Sequence, residues 1–162
     1  LLGGFALSAQ AGEKVVSLRC PVHPVWRVAA IIPDFELSTA RSRAVLPESV
    51  PRQDAVFNLS RAALLPQALA GEDPDLLRFA LEDRLHQPYR RALIPGWEQA
   101  LAAVQACGGL ALCLSGAGST LLCIAREEDF ARRLQARLAE ALPAWEVRPL
   151  QIDAQGAREE NE

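Results

Sequence analysis

One fully apolar segment, Val28-Ala29-Ala30-Ile31-Ile32, limits the possible folds of this chain more than any other feature. A strand with no polar side chain on either face belongs in the buried centre of a sheet. Strand-like and helix-like segments surround it without a regular strand–helix alternation, and at least two strand pairs look antiparallel. These patterns predict the α+β class, an antiparallel sheet with helices packed on one face.

Alternating or continuous apolar residues predict the remaining strands, at 5–9, 14–20, 110–114, 120–125 and around Trp145 and Val147. The strand at 14–20 is expected to have one solvent-exposed face and to continue into the apolar strand through a hairpin-like turn at 21–24. For the strand at 5–9 we expect a pairing partner upstream of the chain. Pro149 marks the last strand as an edge strand because proline has no backbone N–H to donate.

Capping residues and a period near 3.6 predict the helices. One short helix starts at Ser38-Thr39 and ends near Leu46, and a longer one begins near 51–54, with Pro66 expected to kink or end it. Asp73 caps a third. Two more follow, one from Trp97 to the glycine pair at 108–109 and one over 127–142. The charged tail after Gly156 is expected to fray.

Length and charge exclude several classes of protein. With 162 residues, the chain fits one domain, and its net charge of −3 gives no basic surface for nucleic acid. No apolar run approaches the roughly 20 residues of a membrane span. Four cysteines without zinc spacing indicate reduced thiols and a cytoplasmic location. Because no methionine opens the chain, we expect it to begin inside a longer protein.

A glycine-rich segment at 114–120, between two predicted strands, is the first candidate site. Glycines allow backbone amides to approach a ligand, and successive amides can bind an anion. The segment is no Walker loop, because its lysine is absent and a strand follows. A hairpin turn that binds nothing is the alternative, and the residues alone favour it, since short glycine loops are common turns.

Two arginine pairs are the second candidate, Arg41 with Arg43 and Arg90 with Arg91. A guanidinium can bind a carboxylate or phosphate through two parallel hydrogen bonds, so two from separate segments could hold one small acid. For any single arginine, a solvated or salt-bridged surface residue is the more common case. We interpret His23 and His86 as structural. The acidic residues form no metal motif, and no catalytic base is evident.

Three segments, in order, resemble one family: Thr39 to Pro47, His86 to Gly96 and Leu114 to Thr120. Together they are similar to the C-terminal half of the homoserine kinase family, within the GHMP small-molecule kinase superfamily. The Leu2 to Phe5 segment and the Asp153 to Arg158 segment also match, so the resemblance spans nearly the whole chain. It is most specific around Tyr89 and Arg90.

The resemblance implies transfer of the ATP γ-phosphoryl group to the hydroxyl of L-homoserine, in threonine biosynthesis. It implies ATP and Mg²⁺ as cofactors and a homodimer as the assembly. Three residues would bind the substrate: Thr39, Arg43 and Arg90. Five would form a glycine loop near the phosphate: Ser115, Gly116, Ala117, Gly118 and Ser119. Ala117 and Ser119 depart from the family's usual serine and proline there, which removes a hydroxyl at position 117.

The resemblance also implies a missing part. The family's ATP-binding loop and most of its magnesium and nucleotide contacts belong to an N-terminal domain, so residues 1–162 would form the substrate-side C-terminal domain only. We therefore expect this chain alone to bind ATP poorly and not to turn over. Two alternatives stay open: the C-terminal domain of another GHMP kinase, and a non-catalytic ferredoxin-like module that binds an amino acid.

Overall fold

The computed structural model describes residues 3–157, so the end of the charged tail lies outside the described residues. The strands are β1 Phe5–Ala11, β2 Lys14–Cys20, β3 Arg27–Ile32, β4 Ala111–Leu114, β5 Leu121–Ala125 and β6 Glu146–Leu150. The helices are α1 Thr39–Ala44, α2 Arg52–Ala70, α3 Pro74–Ala80, α4 Gln87–Arg90, α5 Trp97–Ala106 and α6 Phe130–Leu138. A 3-10 turn, Arg91–Leu93, follows α4.

Four strands form an antiparallel sheet in the order β4-β5-β3-β6. The apolar strand β3 lies inside it and pairs on both sides, with Ala29 opposite Cys123 of β5 and Pro149 of β6. The prediction of a central, buried strand is therefore confirmed. Strand β6 is an edge strand, which is where a proline costs least.

Helices α5 and α6 cover one face of this sheet and form the main core with it. The predicted apolar stripe of the last helix supplies Phe130, Leu134 and Leu138, each at most 1% exposed. Burying a side chain of this size stabilises the fold by about 1.5–3 kcal/mol. The α+β class and its helix-covered antiparallel sheet are confirmed.

A second, smaller core joins the end of α2 to α3 and the start of β3. Its buried members are Trp26, Ala68, Leu69, Leu77 and Ala80. The Trp26 indole Nε1 and the His23 amide both donate to the Leu69 carbonyl, at 3.0 and 2.8 Å. These bonds satisfy a carbonyl at the C-terminal end of α2 that the helix itself leaves unpaired.

Those same contacts explain why the predicted hairpin between 14–20 and β3 is wrong. Strand β2 pairs with β1 in a separate two-stranded sheet, from Phe5 opposite Cys20 to Ala11 opposite Lys14. The connection from 21 to 26 is held against the end of α2, so the chain does not fold back on β2. Within residues 3–157, β1 thus pairs with a downstream strand, and the expected upstream partner stays a prediction.

The expected single wet face of β2 is also wrong. Apolar side chains are exposed on both faces of the β1–β2 hairpin, with Val15 61%, Val16 49% and Leu18 62% exposed. Alternation in a sequence identifies the two faces of a strand. It does not show whether another layer of the molecule covers either of them.

Pro66 neither ends nor interrupts α2, contrary to the prediction, and the helix runs from Arg52 to Ala70. Proline removes one helical hydrogen bond and crowds the preceding turn. The last turn is nevertheless anchored, because Ala68 and Leu69 are buried in the second core. Tertiary packing therefore outweighs the local cost.

No helix within residues 3–157 is long and apolar enough to cross a membrane.

Candidate functional site

Helix α1 carries two of the predicted substrate residues on one exposed face. The Ser38 hydroxyl accepts a hydrogen bond from the Arg41 amide at 3.2 Å, which caps the helix as predicted. Thr39 and Arg43 lie four residues apart, so their side chains are neighbours on the helix surface. Both are exposed, and Arg43 makes no side-chain hydrogen bond or ion pair to the described residues.

Helix α4 carries Arg90, and the buried Asp83 carboxylate fixes its start. Asp83 accepts hydrogen bonds from the His86 and Gln87 amides, at 2.9 and 2.6 Å, and from the Asn58 side-chain amide at 2.6 Å. Burial raises the pKa of Asp83, but these hydrogen bonds to the ionised form outweigh burial and hold the pKa below its ordinary value. The carboxylate therefore acts as a charged cap for α4.

The glycine loop connects β4 to β5 and is closed by two hydrogen bonds of its own. Ser115 donates its amide to the Thr120 carbonyl, and Gly118 donates to the Ser115 carbonyl, at 3.0 and 3.1 Å. A Cβ at Gly118 would lie 3.2 Å from a methyl of Leu114, so the loop packs tightly there. Within the described chain, the amides of Gly116, Ala117 and Ser119 have no hydrogen-bond acceptor.

These three segments meet at one junction. The Arg90 guanidinium donates from Nε to the Ser42 carbonyl of α1 at 3.2 Å and from Nη1 to the Gly116 carbonyl of the loop at 3.1 Å. The Ser42 hydroxyl donates to the Ala117 carbonyl at 2.7 Å. The structure thus brings together α1, α4 and the glycine loop, which are far apart in the sequence. We call this set of contacts the Arg90 junction.

The junction leaves part of Arg90 available for a ligand. A guanidinium has five N–H donors, and only one on Nε and one on Nη1 are used here. The remaining three N–H groups, one on Nη1 and two on Nη2, form what we call the outer edge of the guanidinium and suffice for a two-point contact with a carboxylate. The backbone bonds hold that edge in a fixed orientation.

The other predicted candidates lie elsewhere or serve structural contacts. His86 Nε2 is 3.6 Å from an Asp83 oxygen, and His23 Nε2 is 3.3 Å from a Glu72 oxygen near the end of α2. Both pairings agree with the structural interpretation of these histidines. Arg41 and Arg91 are exposed.

The two unusual residues of the loop have distinct contacts. Ala117 has no polar side chain, and its backbone carbonyl accepts the hydrogen bond from the Ser42 hydroxyl. The Ser119 hydroxyl donates to the Phe35 carbonyl at 2.7 Å, so it attaches the loop to the segment that follows β3.

Three residues of this region were missed in the sequence: Ser42, Asp83 and Gln87. Gln87 accepts a hydrogen bond from the Leu114 amide at 3.0 Å, which ties α4 to the strand that enters the loop. An acidic residue three to four positions before a proline-containing helix start was a readable capping signal for Asp83. Ser42 gave none, because a serine inside a short helix is usually solvated.

Cysteine chemistry and metal binding find no support here. Within residues 3–157, no group of three or more His, Cys, Asp or Glu side chains could hold a metal ion. Burial raises the pKa of Cys113 to about 11, and burial together with the neighbouring Cys113 raises that of Cys123. Both thiols are therefore protonated at neutral pH and are poor nucleophiles.

Comparison with known proteins assigns the chain to a family. Residues 64–144, half of the chain, match the family model described as GHMP kinases C terminal. A homoserine kinase of Moorella thermoacetica is 46% identical over 126 residues, covering 78% of this chain and 43% of that protein. One of Persephonella marina is 38% identical over 157 residues, covering 96% and 52%.

The fold agrees with that match. The crystal structure of a homoserine kinase from Cytophaga hutchinsonii superposes with a TM-score of 0.86 at 23% identity, covering 96% of this chain and 50% of that one. The chain therefore spans about half the length of the relatives it matches. By the match to the family model and by its fold, the chain belongs to the GHMP kinases, and it corresponds to their C-terminal part.

Proposed function

We propose that the protein carrying this chain is a homoserine kinase, which transfers the γ-phosphoryl group of ATP to the side-chain hydroxyl of L-homoserine. The Arg90 junction is the observation that carries the proposal. It orients the outer edge of a guanidinium beside the helix that bears Thr39 and Arg43. The similarity to homoserine kinases over 96% of the chain supports the choice of substrate.

In this proposal, the residues of the chain bind and orient the amino acid. Arg90 and Arg43 bind the substrate carboxylate, and Thr39 adds a hydroxyl from the same face of α1 as Arg43. The substrate hydroxyl oxygen then bonds to the γ-phosphorus as the bond from phosphorus to the ADP oxygen breaks, and the hydroxyl proton is released to water. Such a transfer depends chiefly on positioning and on neutralising charge, so binding residues contribute directly to rate.

The glycine loop would border the phosphate side of the site. Its three amides without acceptors, at Gly116, Ala117 and Ser119, support this role, since aligned N–H groups stabilise negative charge. The missing hydroxyl at position 117 does not affect those amides.

ATP and Mg²⁺ are part of the proposal but are not assigned to residues of this chain. The described residues offer no cluster of acidic side chains for a metal, and the loop carries no lysine for a phosphate. We propose that an N-terminal domain, outside residues 1–162, supplies both sites.

The exposed β1–β2 hairpin supports the proposal of an N-terminal domain. It exposes Leu7, Val15, Val16 and Leu18, and an isolated two-stranded sheet is marginal in water. We propose that the N-terminal domain covers it. A cytoplasmic location is supported by the four free cysteines. The homodimer implied by the family resemblance stays a prediction.

Replacing Arg90 tests the proposal directly. In the protein that carries this chain, Arg90→Ala should raise the KM for homoserine about 10- to 100-fold, because a hydrogen bond to a charged group contributes roughly 1.5–3 kcal/mol. The KM for ATP should change little. Steady-state kinetics with each substrate varied in turn measures both.

Arg91→Ala is the matched control, because it removes an exposed arginine from the neighbouring position. An unchanged homoserine KM in Arg90→Ala would show that Arg90 has a structural role and does not bind the substrate. Homoserine binding without any phosphorylation by the wild-type protein would instead support the amino-acid-binding alternative.

A further inference from the structure

Ser42 has an environment that its place in the sequence does not explain. It is the buried polar side chain of the described residues, at 0% exposure, although its neighbours Arg41 and Arg43 are exposed. Serine is a modest helix former, and a buried hydroxyl is costly unless it makes a hydrogen bond. The Ser42 side chain does not stabilise the helix itself, so we look for its role in the contacts that it makes with other segments.

Those contacts join all three segments of the Arg90 junction through one residue. The Ser42 hydroxyl donates to the Ala117 carbonyl of the glycine loop at 2.7 Å. Its carbonyl accepts from Arg90 Nε at 3.2 Å, and its amide donates to Ser38 at the start of α1. Ser42 is thus bonded to the loop, to α4 and to its own helix at once.

We propose that Ser42 is a positioning residue for the carboxylate end of the substrate, an inference that rests on the proposed function. It sets the spacing between Arg43, the next residue along α1, and the outer edge of Arg90. Arg43 has no side-chain partner among the described residues, so the position of its side chain depends on the position of its backbone. Ser42 fixes that backbone against the loop and against Arg90.

Two features make the hydroxyl the decisive group. Ala117 has no polar side chain, so Ser42 holds the middle of the loop through a backbone group, the Ala117 carbonyl. At 2.7 Å, the hydroxyl bond also has the ordinary length of a well-formed O–H···O hydrogen bond. Without it, no hydrogen bond among residues 3–157 joins α1 directly to the loop, and Arg90 bonds to both.

The test is Ser42→Ala in the protein that carries this chain. We expect the KM for homoserine to rise roughly tenfold, as one buried hydrogen bond of about 1–1.5 kcal/mol is lost, with kcat and the KM for ATP within about twofold. Ser42→Cys keeps a side chain of similar size with a weak donor, so its KM for homoserine should lie between those of the wild type and Ser42→Ala. It also serves as the second variant if Ser42→Ala does not fold.

Ser60→Ala is the matched control. The Ser60 hydroxyl donates to the Phe57 carbonyl at the same 2.7 Å, but on the exposed surface of α2. This variant should leave every kinetic constant unchanged. An equal rise in both KM values in Ser42→Ala would indicate general destabilisation and overturn the inference.

A double-mutant cycle separates positioning from an independent effect. If Ser42 acts through Arg90, Ser42→Ala should add less than about twofold to the homoserine KM of Arg90→Ala, because contacting residues are not additive. A full tenfold increase in that background would contradict the positioning role.

Amide hydrogen exchange provides an arm that does not depend on activity. The Ser115 and Gly118 amides, which close the loop, should exchange several-fold faster in Ser42→Ala. Unchanged exchange overturns the anchoring of the loop, and faster exchange with an unchanged KM overturns its role in binding. If the wild-type protein does not phosphorylate homoserine, the proposed function is overturned. Amide exchange in Ser42→Ala then still tests whether Ser42 anchors the glycine loop.

Discussion

Asp83 illustrates how single residues prepare this site without facing a ligand. Its carboxylate is only 7% exposed and accepts hydrogen bonds from the His86 and Gln87 amides at the start of α4 and from the Asn58 side chain. Arg90 lies at the other end of this four-residue helix. A helix this short has little stability of its own, so the cap determines where Arg90 is placed. The sequence identified Arg90 but not the residue that supports it.

We expect Asp83→Asn to destabilise the protein by about 1–2 kcal/mol at pH 7, the usual value of a helix cap. The folded pKa of Asp83 is below the ordinary 3.8, so its contribution is full above that value. It is lost as the pH falls through the folded pKa. Urea unfolding from pH 7 to pH 2 should therefore show a difference that shrinks towards acid.

Asp75→Asn is the control, since the Asp75 side chain is 86% exposed and pairs only with Arg78 on the surface. A difference between wild type and Asp83→Asn that stays constant down to pH 2 would contradict the capping role.

At the scale of elements, the helices show which local signals are reliable. Asp73 and Ser38 cap α3 and α1 as predicted, because a capping side chain bonds to amides of its own first turn. The prediction that Pro66 kinks or ends α2 is wrong, because the buried packing of the next turn outweighs the local cost of the proline. Gly96 is the N-cap of α5, where a backbone requirement and tertiary packing both favour glycine.

Gly96→Ala should destabilise the protein by about 2–5 kcal/mol. Gly96 has φ +101°, and a Cβ there would lie 2.9 Å from the Trp145 ring, in the main core. The backbone strain contributes about 1–2 kcal/mol and overpacking a further 1–3. Chemical unfolding measures the change.

Gly12→Ala separates the two causes. Gly12 also has a positive φ, of +60°, but a Cβ there meets nothing within 4 Å. Gly12→Ala should therefore lose only the stability that corresponds to the backbone strain, about 1–2 kcal/mol. Equal losses in the two variants would show that the Trp145 contact contributes nothing.

The whole molecule divides into a packed body and an uncovered hairpin. The four-stranded sheet, α5 and α6 form a core whose central side chains are fully buried, whereas β2 is exposed on both faces. Apolar surface of this kind is typical of an interaction site. For the proposed kinase, we expect the N-terminal domain to cover it.

The double variant Val16→Lys with Leu18→Lys tests that interface. Both side chains lie on one face of β2, and both are exposed, so the stability of this chain should change by less than about 0.5 kcal/mol. Affinity for the separately expressed N-terminal domain should fall at least tenfold, because two charges would be buried against it. Titration calorimetry measures the binding.

Leu59→Lys, at an equally exposed leucine of α2, should leave that affinity unchanged. Equal binding by the double variant and the wild-type chain would exclude the hairpin as the interface.

By itself, the sequence determined the class of fold, the central strand, most helix starts and the glycine loop. Period, caps and glycines act within a few residues, so they are readable in order along the chain. Only the tertiary structure decided that β2 leaves the main sheet, that α2 continues through Pro66, and that Ser42 and Gly116 share Arg90. Those outcomes depend on contacts between residues tens of positions apart, whose energies no local pattern encodes.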